Sequence, residues 1–531
     1  MRKSHSSIFV GRLVMLHIVL AFMTIVPGAL TATDPAVTTT HGPIVGFQDS
    51  GIQVFKNIPY GADTSTTRFK APKPPNPWTE PKHCTKYGPI APQPGSDKES
   101  SGHKGSEDCL NLNVWTPASD NNTRPVLVYF HGGGYDSGTV NEDTYDGRRL
   151  AQKRDVVVVT VSHRINGLGY MYLGGISKDY ETGNPGQLDL ILALKWVRDN
   201  IERFGGDKNS VTIFGQSGGG AKCATLMAMP EAKGLFHRVW TMSGQQITGR
   251  TLEHAKQTAQ EVLSKIEGES DAEKLEQLVN MPMAELQTTL AGGGQRWAPV
   301  TSTSSLPKDP FFPTANEQSR NIPMVIGNTY GETRNLIGGS KGRLFNLTWD
   351  QVPSQLEKSV KNFIGNLSGE TIVSEYRKHY PSYSPSDVFF AATTAARSWK
   401  SMLVESDIRA KHPDSPLWVY YLRWKTPFED GRMGAAHGFD IPLVFANPDA
   451  FRQMRGFESA EVMAETVSKA LVHFARTGTP KIEGSDMYWP RYELGERLSM
   501  IFDLPASEIH SDDRGWERRF FASIPYTQPG T

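Results

Sequence analysis

The chain has 531 residues, with 56 Lys and Arg against 56 Asp and Glu, so it carries no net charge. Neutrality argues against nucleic acid or an anionic membrane surface as the main partner, because both select a basic excess. A mean hydropathy of −0.42 excludes a polytopic membrane protein, and three cysteines are too few for a disulfide scaffold or a zinc-ribbon array.

The N-terminus has the three parts of a secretory signal. Arg2, Lys3 and Arg12 are basic, Leu13 to Val26 is almost wholly apolar, and Pro27-Gly28-Ala29 with Ala32 supplies a break and small residues. Residues 1–32 are therefore expected to be a signal peptide cleaved near 29–32, with the mature protein secreted or periplasmic. The apolar run of about 14 residues falls short of the ~20 that a spanning helix needs, so no stable membrane insertion is expected. Export permits disulfides. Cys84 and Cys109 are the natural pair, leaving Cys223 free. The segment between the pair is rich in Gly, Ser, Pro and Lys and could not hold its shape by packing. A bridge there would contribute about 3 kcal/mol in the chain-entropy view. Sequons stand at Asn121, Asn346 and Asn366.

Further along, apolar strand-like runs alternate with helical patterns. Pro125 to Phe130 and the β-branched Asp155 to Val161 read as buried strands. Leu188 to Phe204 has helical spacing and is stopped by Gly205-Gly206. Val211 to Phe214 is a short strand, followed by a small-residue helix from Gly218 to about Ala228. Strands follow at Val239 to Met242, Pro323 to Gly327 and Leu417 to Leu422. Ser459 to Arg476 reads as a helix with Ser459 as its N-cap. Fully apolar strands between helices imply a mostly parallel central sheet covered on both faces, the α/β class. No linker divides the chain, so residues 33–531 read as one domain with long loop insertions. Active sites in such sheets lie beyond the carboxyl ends of the strands.

The pattern G-x-S-x-G occurs twice. Gly338 to Gly342, around Ser340, has no strand before it and reads as a loop. Gly215-Gln-Ser217-Gly-Gly219 lies directly between a strand and a small-residue helix, the context a nucleophile elbow requires. Upstream, His131-Gly132-Gly133-Gly134 follows a strand, and consecutive glycines there can aim several backbone N–H groups at one developing negative charge. A serine needs a base, and the base needs an orienter. His437, among the small residues Gly434 to Gly438, is the best base; His412 and His473 read as structural. Glu332 follows the strand ending at Gly327, but spacing alone does not separate a catalytic acid from a solvated loop charge.

Together these motifs resemble the type-B carboxylesterases, the cholinesterase-like branch of the α/β-hydrolases. The resemblance is carried by Glu107 to Trp115, Thr212 to Gly220, Arg68 to Pro72, Asn200 to Asp207 and His437 to Pro442, and it spans nearly all the chain after the signal. It implies an α/β-hydrolase fold, with Ser217 as nucleophile, Glu332 as acid and His437 as base. It also implies oxyanion donors at Gly133, Gly134 and Gly218, and a Cys84–Cys109 disulfide. Departures are visible. Gly218 stands where many members carry Ala, and Gln216 where cholinesterases carry Glu. Gly331-Glu332-Thr333 replaces an Asp-Glu-Gly context. No Trp lies between Cys84 and Cys109 to stack a choline cation, which disfavours a choline-ester specialist.

The expected function is hydrolysis of small-molecule carboxylic esters through an acyl-enzyme, with no metal or organic cofactor. Rivals are a lipase, a polyester or lactone hydrolase, and a non-catalytic binding module that would have lost part of the triad. Three arginines near the expected site, Arg296, Arg334 and Arg432, would favour a carboxylate-bearing ester if two of them faced the cavity, since the guanidinium fork matches a carboxylate. Surface arginines are the rule, however, and the plainer expectation is that they are solvated or paired with neighbours such as Glu429, Asp430 and Glu332.

Overall fold

A computed structural model describes residues 34–96, 104–291, 297–339, 342–482, 484 and 487–529. The expected signal peptide, Arg296 and Ser340 lie outside the described residues. The central sheet has eleven strands. They are β1 (Phe47–Asp49), β2 (Ile52–Pro59), β3 (Asn111–Thr116), β4 (Arg124–Phe130), β5 (Val157–Val161), β6 (Gly206–Gln216), β7 (Arg238–Met242), β8 (Met324–Thr329), β9 (Leu417–Leu422), β10 (Leu498–Phe502) and β11 (Glu508–Ser511). Their order across the sheet is β11-β10-β9-β8-β7-β6-β4-β5-β3-β2-β1. The run from β5 through β4 to β10 is parallel, and antiparallel pairs close both edges.

Burial on both faces explains the near-continuous apolar runs of the middle strands. Val126, Val128 and Phe130 point to one face, where they pack with α1 (Pro185–Asn200) and α2 (Gly218–Leu226). Leu127 and Tyr129 point to the other, beneath α4 (Glu458–Thr477). A buried ion pair, Arg164 to Asp189 at 2.6 Å, ties the loop after β5 to α1. A second, Arg68 to Glu107 at 2.7 Å, joins two of the motifs singled out in the sequence.

The expected elements are present with shifted ends. Pro185 opens α1 three residues before the apolar pattern begins, because a proline at the first helical position loses no hydrogen bond. The strand expected at Val211 to Phe214 starts earlier, at Gly206, where irregular pairing with Arg124 extends it through polar residues. Ser459 is not the cap of α4: the N-cap is Phe457 and Ser459 lies inside the first turn.

The expected Cys84–Cys109 bridge is not formed, and all three cysteines are buried free thiols. The Cys84 thiol turns toward the Asn57 carbonyl, 3.9 Å away, while Cys109 is enclosed in the core near the Arg164–Asp189 pair. Burial pushes Cys84 up to about 12 and raises Cys109 and Cys223 as well, so none is an activated thiolate. Asn121, Asn346 and Asn366 are all exposed.

Among the described residues, no helix is long and apolar enough to cross a membrane. Helix α3 (Lys400–Ala410) carries a fully buried acid, Glu405. One carboxyl oxygen accepts from the Gln246 N–H at 3.1 Å, and among the described residues the other has no hydrogen-bond partner. Burial pushes Glu405 up to about 8. A folded value above the ordinary ~4 stabilises the protonated form. That stability is complete below about pH 4 and is lost as the pH climbs through about 8. The expected outcome of Glu405→Gln is a melting temperature that varies less with pH over that interval than that of the unsubstituted protein. Parallel melting curves would refute the assignment.

Candidate active site

The site forms where β6, β8 and β9 end. At the end of β6 the chain turns sharply into α2, with Ser217 at φ 56° and ψ −127°. Such a backbone is rare for a residue with a side chain and costs about 1–3 kcal/mol. It is held by the Ser217 N–H donating to Met242 of β7 at 2.7 Å. The turn also passes very close to β4: a Cβ on Gly219 would lie 2.0 Å from the Phe130 carbonyl oxygen. Only glycine fits there.

The loops after β8 and β9 run side by side and are bridged at Gly331 and Ala436. This contact brings Glu332 against His437. The fully buried Glu332 accepts a short hydrogen bond from His437 Nδ1 through one oxygen. Its other oxygen accepts from Ser243 Oγ at 2.5 Å and from the Thr329 N–H at 2.7 Å. Burial opposes the charge on Glu332, but His437, Ser243 and the Thr329 amide outweigh it and hold the carboxyl below its usual range.

With Nδ1 committed as a donor, Nε2 of His437 is an acceptor, and the Gln216 side-chain amide donates to it at 3.1 Å. Among the described residues, no hydrogen bond joins Ser217 Oγ to His437. The amide beside the serine takes the lone pair instead, and such contacts often rearrange when substrate arrives. Asn335 fixes the His437 backbone by donating to its carbonyl at 3.0 Å.

The glycine loop after β4 lies opposite. Gly133 and Gly134 have φ of 82° and 62°, which lets successive peptides turn inward. These glycines, with Gly218, Ser217 and His437, line a cavity of about 480 Å³. Its walls mix polar side chains, among them Asp136, Gln245, Gln246 and Arg397, with apolar surface from Leu336, Ala221, Pro529 and the Tyr135 and Tyr145 rings. Among the described residues, no cluster of three or more His, Cys, Asp or Glu is placed to hold a metal ion.

The structure therefore brings Ser217, Glu332, His437, Gly133, Gly134 and Gly218 together. Of the expected arginines, Arg334 and Arg432 do not join them, and Arg296 lies outside the described residues. Arg334 is paired with Asp387 at 2.5 Å and donates to the Arg432 carbonyl, while Arg432 faces Glu429 and the Phe345 ring. Both line a separate cavity of about 450 Å³ on the far side of the Glu332 loop. Neighbouring carboxylates, aromatic faces and carbonyls satisfy them there, so neither can carry the preference for a carboxylate-bearing ester.

Sequence reasoning missed Ser243 and Asp440. Ser243 lies just past β7 and carried no motif. Asp440 lay in plain view within the His437 to Pro442 signature. It is buried beside the triad, accepts from Tyr420 Oη at 2.9 Å, and is pushed up to about 7 by burial and by Glu332. The wall residues Arg397, Ser398 and Ser401 come from a segment more than 30 residues from any recognisable motif, so no local pattern pointed to them.

The sequence and the fold have known counterparts. A sequence model of the carboxylesterase family matches residues 33–520. The chain is 32% identical over 509 residues to the para-nitrobenzyl esterase of Bacillus subtilis, covering 92% of this chain and 98% of that protein. A carboxylesterase of Geobacillus stearothermophilus superposes with a TM-score of 0.78 at 31% identity, covering 92% and 99% of the two chains. An esterase from Clostridium hathewayi, described as able to hydrolyse aliphatic aromatic polyesters, does so with a TM-score of 0.76 at 29% identity, covering 93% and 99%. With an α/β-hydrolase sheet, these motifs and likeness along almost its whole length, the chain belongs to the carboxylesterase family and is a carboxylic ester hydrolase.

Proposed function

We propose that Ser217 is the nucleophile, His437 the general base and acid, and Glu332 the residue that orients and stabilises the imidazolium. Ser217 Oγ attacks the ester carbonyl as His437 Nε2 takes its proton, which requires Gln216 to release Nε2. The Gly133, Gly134 and Gly218 amides receive the oxyanion. Collapse expels the alcohol, protonated by His437, and leaves an acyl-serine. Water, deprotonated by His437, then attacks the acyl carbon and releases the acid. The observation that carries this reading is the convergence of the strained Ser217 turn and the Ser243–Glu332–His437 chain of hydrogen bonds on one cavity.

The polar side chains on part of the wall, among them Gln245, Gln246 and Arg397, favour esters whose acyl or alcohol part carries a hydrogen-bonding group beside an apolar one. An apolar pocket gains mainly from area, whereas buried polar groups left unpaired by a hydrocarbon are penalised. The leader-like first 32 residues support export and cleavage near 29–32, leaving a catalytic domain from 33 to 531. N-terminal sequencing of material recovered from the periplasm or medium checks this, and an intact Met1 there would refute it.

Three substitutions test the site. Ser217→Ala is expected to lower kcat by about 10⁶-fold with the fold intact. A fluorophosphonate should label Ser217, and mass spectrometry placing the adduct elsewhere, for instance on Ser340, would overturn the assignment. Glu332→Gln is expected to cost about 10⁴-fold in kcat by disturbing the imidazole tautomer. Ser243→Ala removes a hydrogen bond to a charged group and should lower kcat by about tenfold or more with little change in KM. Undiminished kcat in the Ser243 variant would show that Glu332 is held without it.

A further inference from the structure

Five residues beyond Ser217, in the sequence Ser217-Gly-Gly-Gly-Ala-Lys222, a lysine stands among small residues of α2. It is wholly buried. Its ammonium donates to the Gly134 carbonyl at 2.9 Å and to the His131 carbonyl at 3.1 Å, and it lies over the Tyr135 ring at 5.3 Å. These carbonyls bracket the glycine loop: the N–H groups of Gly132, Gly133 and Gly134 all lie between them. One cation therefore holds both ends of the short segment that supplies two of the three proposed oxyanion donors.

The surroundings are arranged for that charge. His131 and His163 stack beside it with ring centroids 4.4 Å apart, both fully buried. Burial, with help from Lys222, holds both imidazoles well below their ordinary value, so they stay neutral while the cluster's positive charge rests on the lysine. Burial pulls Lys222 itself down to about 7, opposed by Cys223 and Asp136. Burying an ammonium is costly unless its protons find acceptors, and here two backbone oxygens and an aromatic face provide them. The third proposed donor is linked to the same device. The Gly134 oxygen held by Lys222 sits so close to the elbow that a Cβ on Gly218 would meet it at 2.0 Å. Gly218 is thus matched to the position in which the lysine holds the loop.

We propose that Lys222 is a positioning residue for ester hydrolysis: by donating to the His131 and Gly134 carbonyls it holds the His131–Gly134 loop so that the Gly133 and Gly134 amides meet the developing oxyanion. The inference rests on the reading of Ser217 as nucleophile and of these glycines as oxyanion donors. Lys222 touches no reacting atom. Its effect is expected in the transition state rather than in ground-state binding, because only there does the oxyanion carry full charge.

The test compares the unsubstituted enzyme with Lys222→Met, which removes charge and donors, and Lys222→Gln, which keeps an amide donor. The substrate is p-nitrophenyl butyrate, and a trifluoromethyl ketone mimics the tetrahedral oxyanion. The Met variant should lose roughly 10- to 1000-fold in kcat, in the range of a lost oxyanion donor. The Gln variant should lose less, KM should move by about twofold or less, and ketone affinity should fall in step with kcat/KM. A folded Gln or Met variant with undiminished kcat and ketone affinity overturns the proposal, as does a loss confined to KM. If the Met variant does not fold, the Gln variant decides. Exhaustive fluorophosphonate labelling separates the two layers. Complete adduct formation on Ser217 in the variants leaves the serine reading standing whatever the fate of Lys222. A wild-type adduct elsewhere removes both.

Discussion

The chemistry of this protein depends on how closely the turn after β6 crosses the end of β4. The Phe130 carbonyl lies where a Cβ on residue 219 would need to be, and the Ser217 backbone sits in a conformation that a side chain disfavours. Neither would persist on a soft scaffold. The two strands are neighbours in the middle of a sheet buried on both faces, and their register is fixed by parallel pairing from Val126 with Val211 to Phe130 with Gly215. The hydrophobic burial of that sheet offsets the ~1–3 kcal/mol stored at the elbow. Close crossing also puts the nucleophile and the glycine loop within reach of one carbonyl group.

Around that crossing, the site is a set of buried polar groups that hold one another. Glu332 keeps its charge because three donors converge on it, and Lys222 has two carbonyls and a ring. Asp440 and Glu405, each with fewer donors, are pushed up to about 7 and about 8. What sets Glu332 apart from these two is the facing His437 together with the donors that reach it, whereas Lys222, despite its two carbonyls, is itself pulled down by burial. Low dielectric makes each such contact strong and each missing one costly.

The walls of the cavity come from elsewhere in the chain. Gln245 and Gln246 extend β7, Leu336 follows the Glu332 loop, and Arg397, Ser398 and Ser401 lie on helical turns ahead of and within α3. They set hydrogen-bonding groups beside apolar surface in the one cavity. Arg334 and Arg432 instead pair with carboxylates and lie over aromatic faces in a neighbouring cavity. Closeness in sequence to Glu332 and His437 did not predict which side of their loops those side chains would take.

The sequence by itself determined the class of fold and pointed to Ser217, His437 and the glycine loop as candidate reacting groups. Buried parallel strands write themselves as continuous β-branched runs, as in Val157 to Val161. An elbow demands small residues at fixed offsets from its serine, and a glycine loop after a strand is equally local. These features are legible because their causes act within a few residues. Glu332 was legible only through resemblance, since a carboxylate becomes a triad acid by what faces it across the bridge between Gly331 and Ala436. The same holds for the fate of the cysteines. Tertiary packing turned Cys84 toward Asn57 and enclosed Cys109 in the core, against the pairing their position suggested. Only the tertiary structure set Ser243 on Glu332, Lys222 beneath the glycine loop and Arg397 in the wall. Each of these contacts joins segments on different strands or helices, and the direction of a side chain there is set by its neighbours in space rather than along the chain.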